Sequence, residues 1–487
     1  MLTPLPNEGW NDATAAHLLN RAGFGGAPGA VERLRSLGLE GAVDSLLKFG
    51  GAPDDEIKPP SWTVADPDRG ARLREFSQAT PEKRKELQRQ ERRTQMERMM
   101  ELRGWWLERM VRAPHPLQEK LTLYWHGHFA TSMVKVRDAR MMWMQNELFR
   151  NHAAGNWRVL VKSVTEDPAM LIWLDQAQSR RQHPNENYAR ELMELFTLGE
   201  GHYTETDVQE AARALTGVSL DRARGEYVYR PRLHDDGEKR FLGRSGRLGA
   251  GDVVETILGQ PQAARFLASK LWTFFASDDP PAGVVDALAE DLRRGDWEMR
   301  PVLRRMFLSA EFYDTSVLRS QVKSPVQLLV GAVLQLDAKL PAPLASANAL
   351  RSLGQELFAP PNVKGWDGGL NWLATHHLLN RHRLADWLVL GEGVLPSASR
   401  MPNAQRLLAR VAGRHPDIDM SRLLPESDRG TPEKAIAALE RRFLHARLRP
   451  KAAAALRELI GASSKLGDGD VARAIRFIMC TPDYQLT

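Results

Sequence analysis

Two segments of this chain concentrate side chains that could do chemistry. The first is His183-Pro-Asn-Glu-Asn-Tyr-Ala-Arg-Glu-Leu-Met-Glu-Leu-Phe-Thr-Leu-Gly199. At about 100° per helical residue, Asn187, Glu191 and Glu194 fall within one arc, with Arg190 beside Glu194 and Glu186 flanking Arg190. A solvated surface explains such a face, because Glu186–Arg190 and Arg190–Glu194 are i,i+4 pairs. A polar cavity explains it as well. Glu191 and Glu194 would then act as acid/base groups or metal ligands, Arg190 would hold them ionised or bind a substrate anion, and Asn187 would contact substrate.

The second segment is Trp125-His126-Gly127-His128. Two histidines one residue apart point to opposite sides of a helix but to the same side of extended chain. A break at Gly127 would let both imidazoles meet one ion, with Glu191 or Glu194 as a further ligand. A mixed His and carboxylate set suits zinc, manganese or iron, so a divalent transition metal is the expected cofactor. The competing reading is one buried and one exposed histidine, each hydrogen-bonded.

Two further segments offer polar groups. His234-Asp235-Asp236 precedes Gly237 and reads as turn chemistry, or else supplies His234 or Asp235 as an acid/base group. The Pro- and Gly-rich loop Gly354–Trp372 is too aromatic for a linker and should fold over the body. In it, Lys364 and Trp366 could present a cation and a flat surface to substrate, and Trp366 could equally be an anchor.

The elements that must position these groups are mostly helices. Pro184 and Asn185 supply a start and Gly199 a stop for a helix whose buried stripe is Tyr188, Leu192, Leu195 and Phe196. His115-Pro116 opens another, with Leu117, Leu121, Tyr124 and Trp125 as its apolar stripe, and helical periodicity dominates again from residue 251 onward. The pattern predicts a mainly α fold, a large irregular multi-helix body with one small β-hairpin near residues 226–242. A main helical domain is expected over 1–390, carrying a charged helical insertion at about 69–103, and a C-terminal helical extension over 391–487. Residues 395–430 read as loop-rich. His17-Leu-Leu-Asn-Arg21 recurs as His377-Leu-Leu-Asn-Arg381 without surrounding periodicity, so this echo is not a repeat architecture.

Composition narrows the function classes. The surplus of 67 Lys and Arg over 61 Asp and Glu gives +6 on 487 residues, too mild to argue for nucleic acid. One cysteine, Cys480, excludes an intrachain disulfide and any cysteine-based zinc site. The start of the sequence has neither a basic nor an apolar export region, and no apolar run is long enough to cross a bilayer. The sequence as it stands therefore reads as soluble and cytoplasmic, or extracytoplasmic if an export signal has been removed.

His17–Gly25, Leu117–Ser132, Asp167–Asp175, Asn185–Gly199 with Thr204–Gly217, His234–Gly243, Ser324–Pro325 and Gly354–Trp372 together resemble the bacterial family called domain of unknown function 1800. Asn185–Leu192 carries the strongest part of the match. The resemblance implies no stated activity. It implies proteins that often look exported and that are often encoded with a companion resembling sulfatase-type or alkaline-phosphatase-type hydrolases. This chain departs from that pattern in lacking an export signal and in its charged 69–103 segment.

The leading expectation is an enzyme with a His/carboxylate site in a helical body, metal-dependent, with hydrolase and oxidoreductase chemistry both open. The alternative is a non-catalytic scaffold or partner-binding protein, in which the Arg190/glutamate network fixes helix packing and the 359–373 loop is a partner surface.

Overall fold

A computed structural model describes residues 2–49, 57–391, 418–461 and 466–487. Helices dominate, and the extended structure consists of two small antiparallel sheets. Among the described residues no helix is long and apolar enough to cross a membrane. Part of the loop-rich stretch expected at 395–430, residues 395–417, lies outside the described residues.

The hairpin region is mainly as expected but paired differently. Tyr227-Val228-Tyr229 belongs to β2 (Glu226–Tyr229), which pairs backward with β1 (Val218–Asp221), Val218 opposite Tyr229. Asp221 makes that turn: its side chain accepts from the Ala223 and Arg224 amides, and Gly225 takes the left-handed φ of +72° the turn requires. Phe241 ends β3 (Lys239–Phe241), which returns through Leu242-Gly243 to β4 (Arg244–Gly246). Asp235-Asp236-Gly237 therefore joins two hairpins and does not cap one.

The helix Pro116–His128 runs through the middle of the molecule and is buried on most of its circumference. Its apolar side chains, Leu117, Leu121 and Trp125, fill the core. Glu119 is wholly buried on the same helix and needs compensation. It accepts from Arg109 Nε at 2.9 Å, Arg150 Nε at 2.7 Å and Trp106 Nε1 at 2.9 Å. Burial alone would raise its pKa, but Arg150 and Arg109 outweigh burial and hold it below the ordinary carboxylate value. This ion cluster ties the central helix to Ala139–Asn151 and to Pro81–Arg112. The first half of that long charged helix is solvated, and burial sets in from Gln95 and Met99 to the Trp105-Trp106 pair.

The two echoed helices, Asp12–Ala22 and Thr375–Ala385, do a common job. Residues 321–323 pair with 485–487: the Lys323 amide donates to the Gln485 carbonyl and the Thr487 amide to the Gln321 carbonyl, both at 2.8 Å. Arg21 closes one end of this pairing, donating to the Thr487 main-chain oxygen at 2.9 Å, the Val317 carbonyl at 3.0 Å and the Gln321 side chain. Arg381 closes the other, donating to Gln485 Oε1 at 2.9 Å, the Lys323 carbonyl at 2.6 Å and the Trp372 carbonyl at 3.0 Å. Both guanidiniums are almost wholly buried, and burial lowers their pKa values to about 9 and about 10. The C-terminal helices Pro432–Phe443, Pro450–Ile460 and Asp468–Met479 share one apolar cluster with Leu328, Leu329 and Val333 of the 325–335 helix.

Glu119→Gln leaves Arg109 and Arg150 buried without their shared counter-ion, and denaturant unfolding should show a loss of about 3–5 kcal/mol. Wild-type stability should also fall at acid pH. Because the folded pKa of Glu119 is depressed, its contribution is present above the unfolded carboxylate pKa and is lost as pH drops through the folded value.

Candidate functional site

On the helix Pro116–His128, Lys120, Tyr124 and His128 recur every fourth residue and form one stripe. On Pro261–Phe275, Phe266, Lys270 and Phe274 do the same. The two stripes meet in a continuous wall. Lys120 Nζ lies 5.6 Å from the Phe274 ring centre, Phe274 lies 4.9 Å from Tyr124, and Tyr124 stacks on His128 at 5.8 Å. His128 lies 6.1 Å from Phe266, and Lys270 Nζ lies 5.5 Å from the Phe266 centre. Aromatic rings thus run between two lysines.

This wall borders a cleft of about 550 Å³, a volume suited to a small molecule. Glu194, Leu195, Gly199 and Glu200 border another side, Val363–Gly369 with Trp372 cover it, and Gln321, Val322, Ser324 and Gln327 end it. The covering loop is seated by two glycines. Gly365 takes φ +84°, and a Cβ there would stand 2.4 Å from the Gly127 carbonyl oxygen, so only a glycine lets the backbones touch. Gly127 is therefore a point of close approach and not the chain break that would have brought His126 and His128 to the same side.

The Glu-rich helix also departs from a regular form. Regular turns span Glu186–Glu191, and Leu192–Thr197 continues as a π-helix, with the Leu198 amide donating to the Met193 carbonyl at 2.7 Å. Wider turns of this kind recur at functional sites, and they shift the residues that follow around the axis. Glu194 lines the cleft, where its Oε2 accepts from the Tyr203 hydroxyl at 2.6 Å. Glu191 is half-buried beside it. Burial and then the neighbouring Glu194 charge raise its pKa, while Lys364 and Arg190 oppose the rise.

The remaining sequence candidates take separate places. Asn187 is exposed, its amide donating to Asn185 Oδ1 in the helix cap. Arg190 turns to solvent and forms a two-point pair with Glu205, one contact at 2.9 Å. It does not bridge Glu186 and Glu194, and an exposed pair of this kind contributes little to stability. His234 and Asp235 do not line the cleft. His234 Nδ1 lies 2.9 Å from the Thr216 carbonyl, and Asp235 accepts from Arg213 Nε at 2.8 Å, which holds its pKa down. Lys364 and Trp366 line the cleft.

His126 and His128 point apart because the helix continues through both. His126 packs against Trp106, Phe358 and Trp366, and its Nε2 accepts the Phe358 amide at 3.0 Å. His128 faces the cleft with Nε2 at 3.0 Å from the Phe196 carbonyl; it donates there and keeps its Nδ1 lone pair. Among the described residues no group of three or more His, Cys, Asp or Glu side chains is arranged to hold a metal ion. Sequence reasoning missed Lys120, Tyr124, Phe266, Lys270 and Phe274. The fourfold spacing was present, but Tyr124 was read as part of an apolar stripe and the chain beyond residue 251 only for its helical periodicity.

Burial, with Arg103 behind His126 and Lys270 near His128, pushes both imidazole pKa values down to about 3. Neither ring resonance should therefore move between pH 5 and 8 in an NMR titration, and a midpoint near 6.5 for either would contradict the described packing. Both groups bind protons more weakly folded than unfolded. Their effect on stability is thus increasingly unfavourable as pH falls from about 6.5 toward 3.

No curated protein and no solved structure matches the chain. Residues 17–486, which include every element of the cleft, match the family described as "Protein of unknown function (DUF1800)". With nearly its whole length covered by that match, the chain belongs to the DUF1800 family.

Proposed function

We propose that this protein is an enzyme that takes a small anionic molecule with a flat apolar portion into the cleft and acts on it by proton transfer at Glu194 and Glu191. One observation carries this reading. Charges of both signs line a single cleft without closing into ion pairs: among the described residues Lys270 and Lys364 form no ion pair and Glu194 accepts only from Tyr203. On a solvated helix face, opposite charges within reach pair locally. Here they stand across an open space, which leaves the lysines for a ligand anion and the carboxylates for a reacting proton.

The chemistry follows from the neighbours. Glu194, held by the Tyr203 hydroxyl, stands where a bound molecule could exchange a proton with it, and Glu191 lies beside it with its pKa raised by burial and by the Glu194 charge. The Trp366, Phe266 and Phe274 rings supply flat apolar contact area. The reading needs no metal ion, whose expected histidine ligands face opposite ways. It also differs from the scaffold alternative, since Arg190 binds Glu205 at the surface and the buried ion cluster that ties helices together is centred on Glu119.

The test compares wild type with Glu194→Gln. Each purified protein is incubated with a bacterial small-molecule extract, and anionic compounds are followed by mass spectrometry. Wild type should deplete at least one compound and form its product, and Glu194→Gln should slow that change about 100-fold or more with its melting temperature retained. Extracts that stay identical with wild type and with buffer, or an unimpaired Glu194→Gln, would sink the proposal.

A further inference from the structure

Lys120 has no role in the proton transfers above, yet its surroundings are unusual for a lysine. Its side chain is buried, and its Nζ lies between the Phe24 and Phe274 rings, 5.3 and 5.6 Å from their centres. It forms no hydrogen bond or ion pair among the described residues, and it lines the cleft. One helical turn away, the Tyr124 hydroxyl is likewise buried without a hydrogen-bond partner and borders the same cleft. A buried ammonium would be expected to hold a carboxylate, as Glu119 holds Arg109 and Arg150 on the opposite side of this helix.

We propose that Lys120 is a carbonyl-reactive amine that forms an imine with an aldehyde or ketone bearing an anionic group, Tyr124 serving as the proton shuttle. Burial and then the nearby Arg21 charge lower the Lys120 pKa to about 7, so that much of the amine is neutral at physiological pH. The Nζ lone pair forms the new N–C bond as the carbonyl π bond opens. The carbonyl oxygen then leaves as water carrying both Nζ hydrogens, moved by way of the Tyr124 hydroxyl, and the C=N bond closes. No oxidant or reductant is consumed. The Phe24 and Phe274 rings on either side of Nζ leave it with apolar neighbours there. The amine chemistry is independent of Glu194, and only the anionic character of the substrate rests on the function proposed above.

The test uses the full chain with glyoxylate, the smallest aldehyde carrying a carboxylate, and cyanoborohydride to reduce any imine to a stable secondary amine. Peptide mapping at pH 7 should place one dominant adduct on Lys120, formed about 10-fold or more faster than on the average remaining lysine. Lys120→Met, which removes a buried charge and keeps an unbranched apolar side chain, should fold and lose that adduct. Tyr124→Phe should keep the adduct and slow its formation about 10-fold or more. The adduct is read without any turnover at Glu194, so failure of the acid/base reading would not silence this assay. Adducts spread over many lysines, or undiminished labelling of Lys120→Met, would overturn the imine. Equal rates with neutral propanal would overturn the preference for an anionic carbonyl.

Discussion

Two buried guanidiniums, Arg21 and Arg381, hold residues 485–487 against residues 321–323, and the shape of the cleft depends on that clamp. Neither pairs with an Asp or Glu side chain among the described residues; their donors go to main-chain, amide and hydroxyl oxygens. Each bond therefore fixes a backbone position in a way that a flexible carboxylate would not. The clamp joins the start of the chain, the 321–327 segment, the 375–385 helix and the C-terminal residues in one place. Gln321, Val322, Ser324 and Gln327, which end the cleft, are set by it. It has an electrostatic consequence too, because the Arg21 charge acts on Lys120 and lowers its pKa further than burial does by itself.

The helix Pro116–His128 divides structural from chemical duty by side. Glu119 faces Arg109, Arg150 and Trp106 in a cluster whose groups satisfy one another. His126 faces Trp106 and Phe358 and accepts a loop amide. The stripe of Lys120, Tyr124 and His128 faces open space, and among the described residues the first two groups have no hydrogen-bond partner. In a folded protein almost all buried polar groups are satisfied, so a buried Tyr124 hydroxyl without a partner beside a cleft is consistent with a ligand group meeting it there. The π-helical turns at Leu192–Thr197 lie on the facing wall, where Glu194 lines the cleft and accepts from Tyr203 while Asn187 and Arg190 remain outside.

Helical class, the start at Asn185 and the folding of the Gly354–Trp372 loop onto the body were legible, because they follow from local periodicity, capping chemistry and side-chain size. The His17–Arg21 and His377–Arg381 echo was visible as well, but its meaning was not: two identical pentapeptides say nothing of a shared target until that target, the 321–323 pairing, is in place. The hairpin was read with the wrong partners because the turn at Asp221–Gly225, with its side-chain bonds and left-handed glycine, lies before the segment that was read, and β2 pairs back across it.

What the sequence determined by itself was the inventory: a helical body with one cysteine, a mild positive charge, and histidine, glutamate and lysine in a few dense segments. Tertiary structure alone decided which of them meet. Helical continuity through Gly127 sent His126 and His128 to opposite sides, Glu205 drew Arg190 outward, and Arg213 took Asp235 into a turn. Lys270 and Lys364, far from Glu194 in sequence, line the same cleft as that carboxylate. The physical reason is that a side chain's chemistry depends on its desolvation and on the charges that face it. Those are set by the packing of distant segments, which no local spacing encodes.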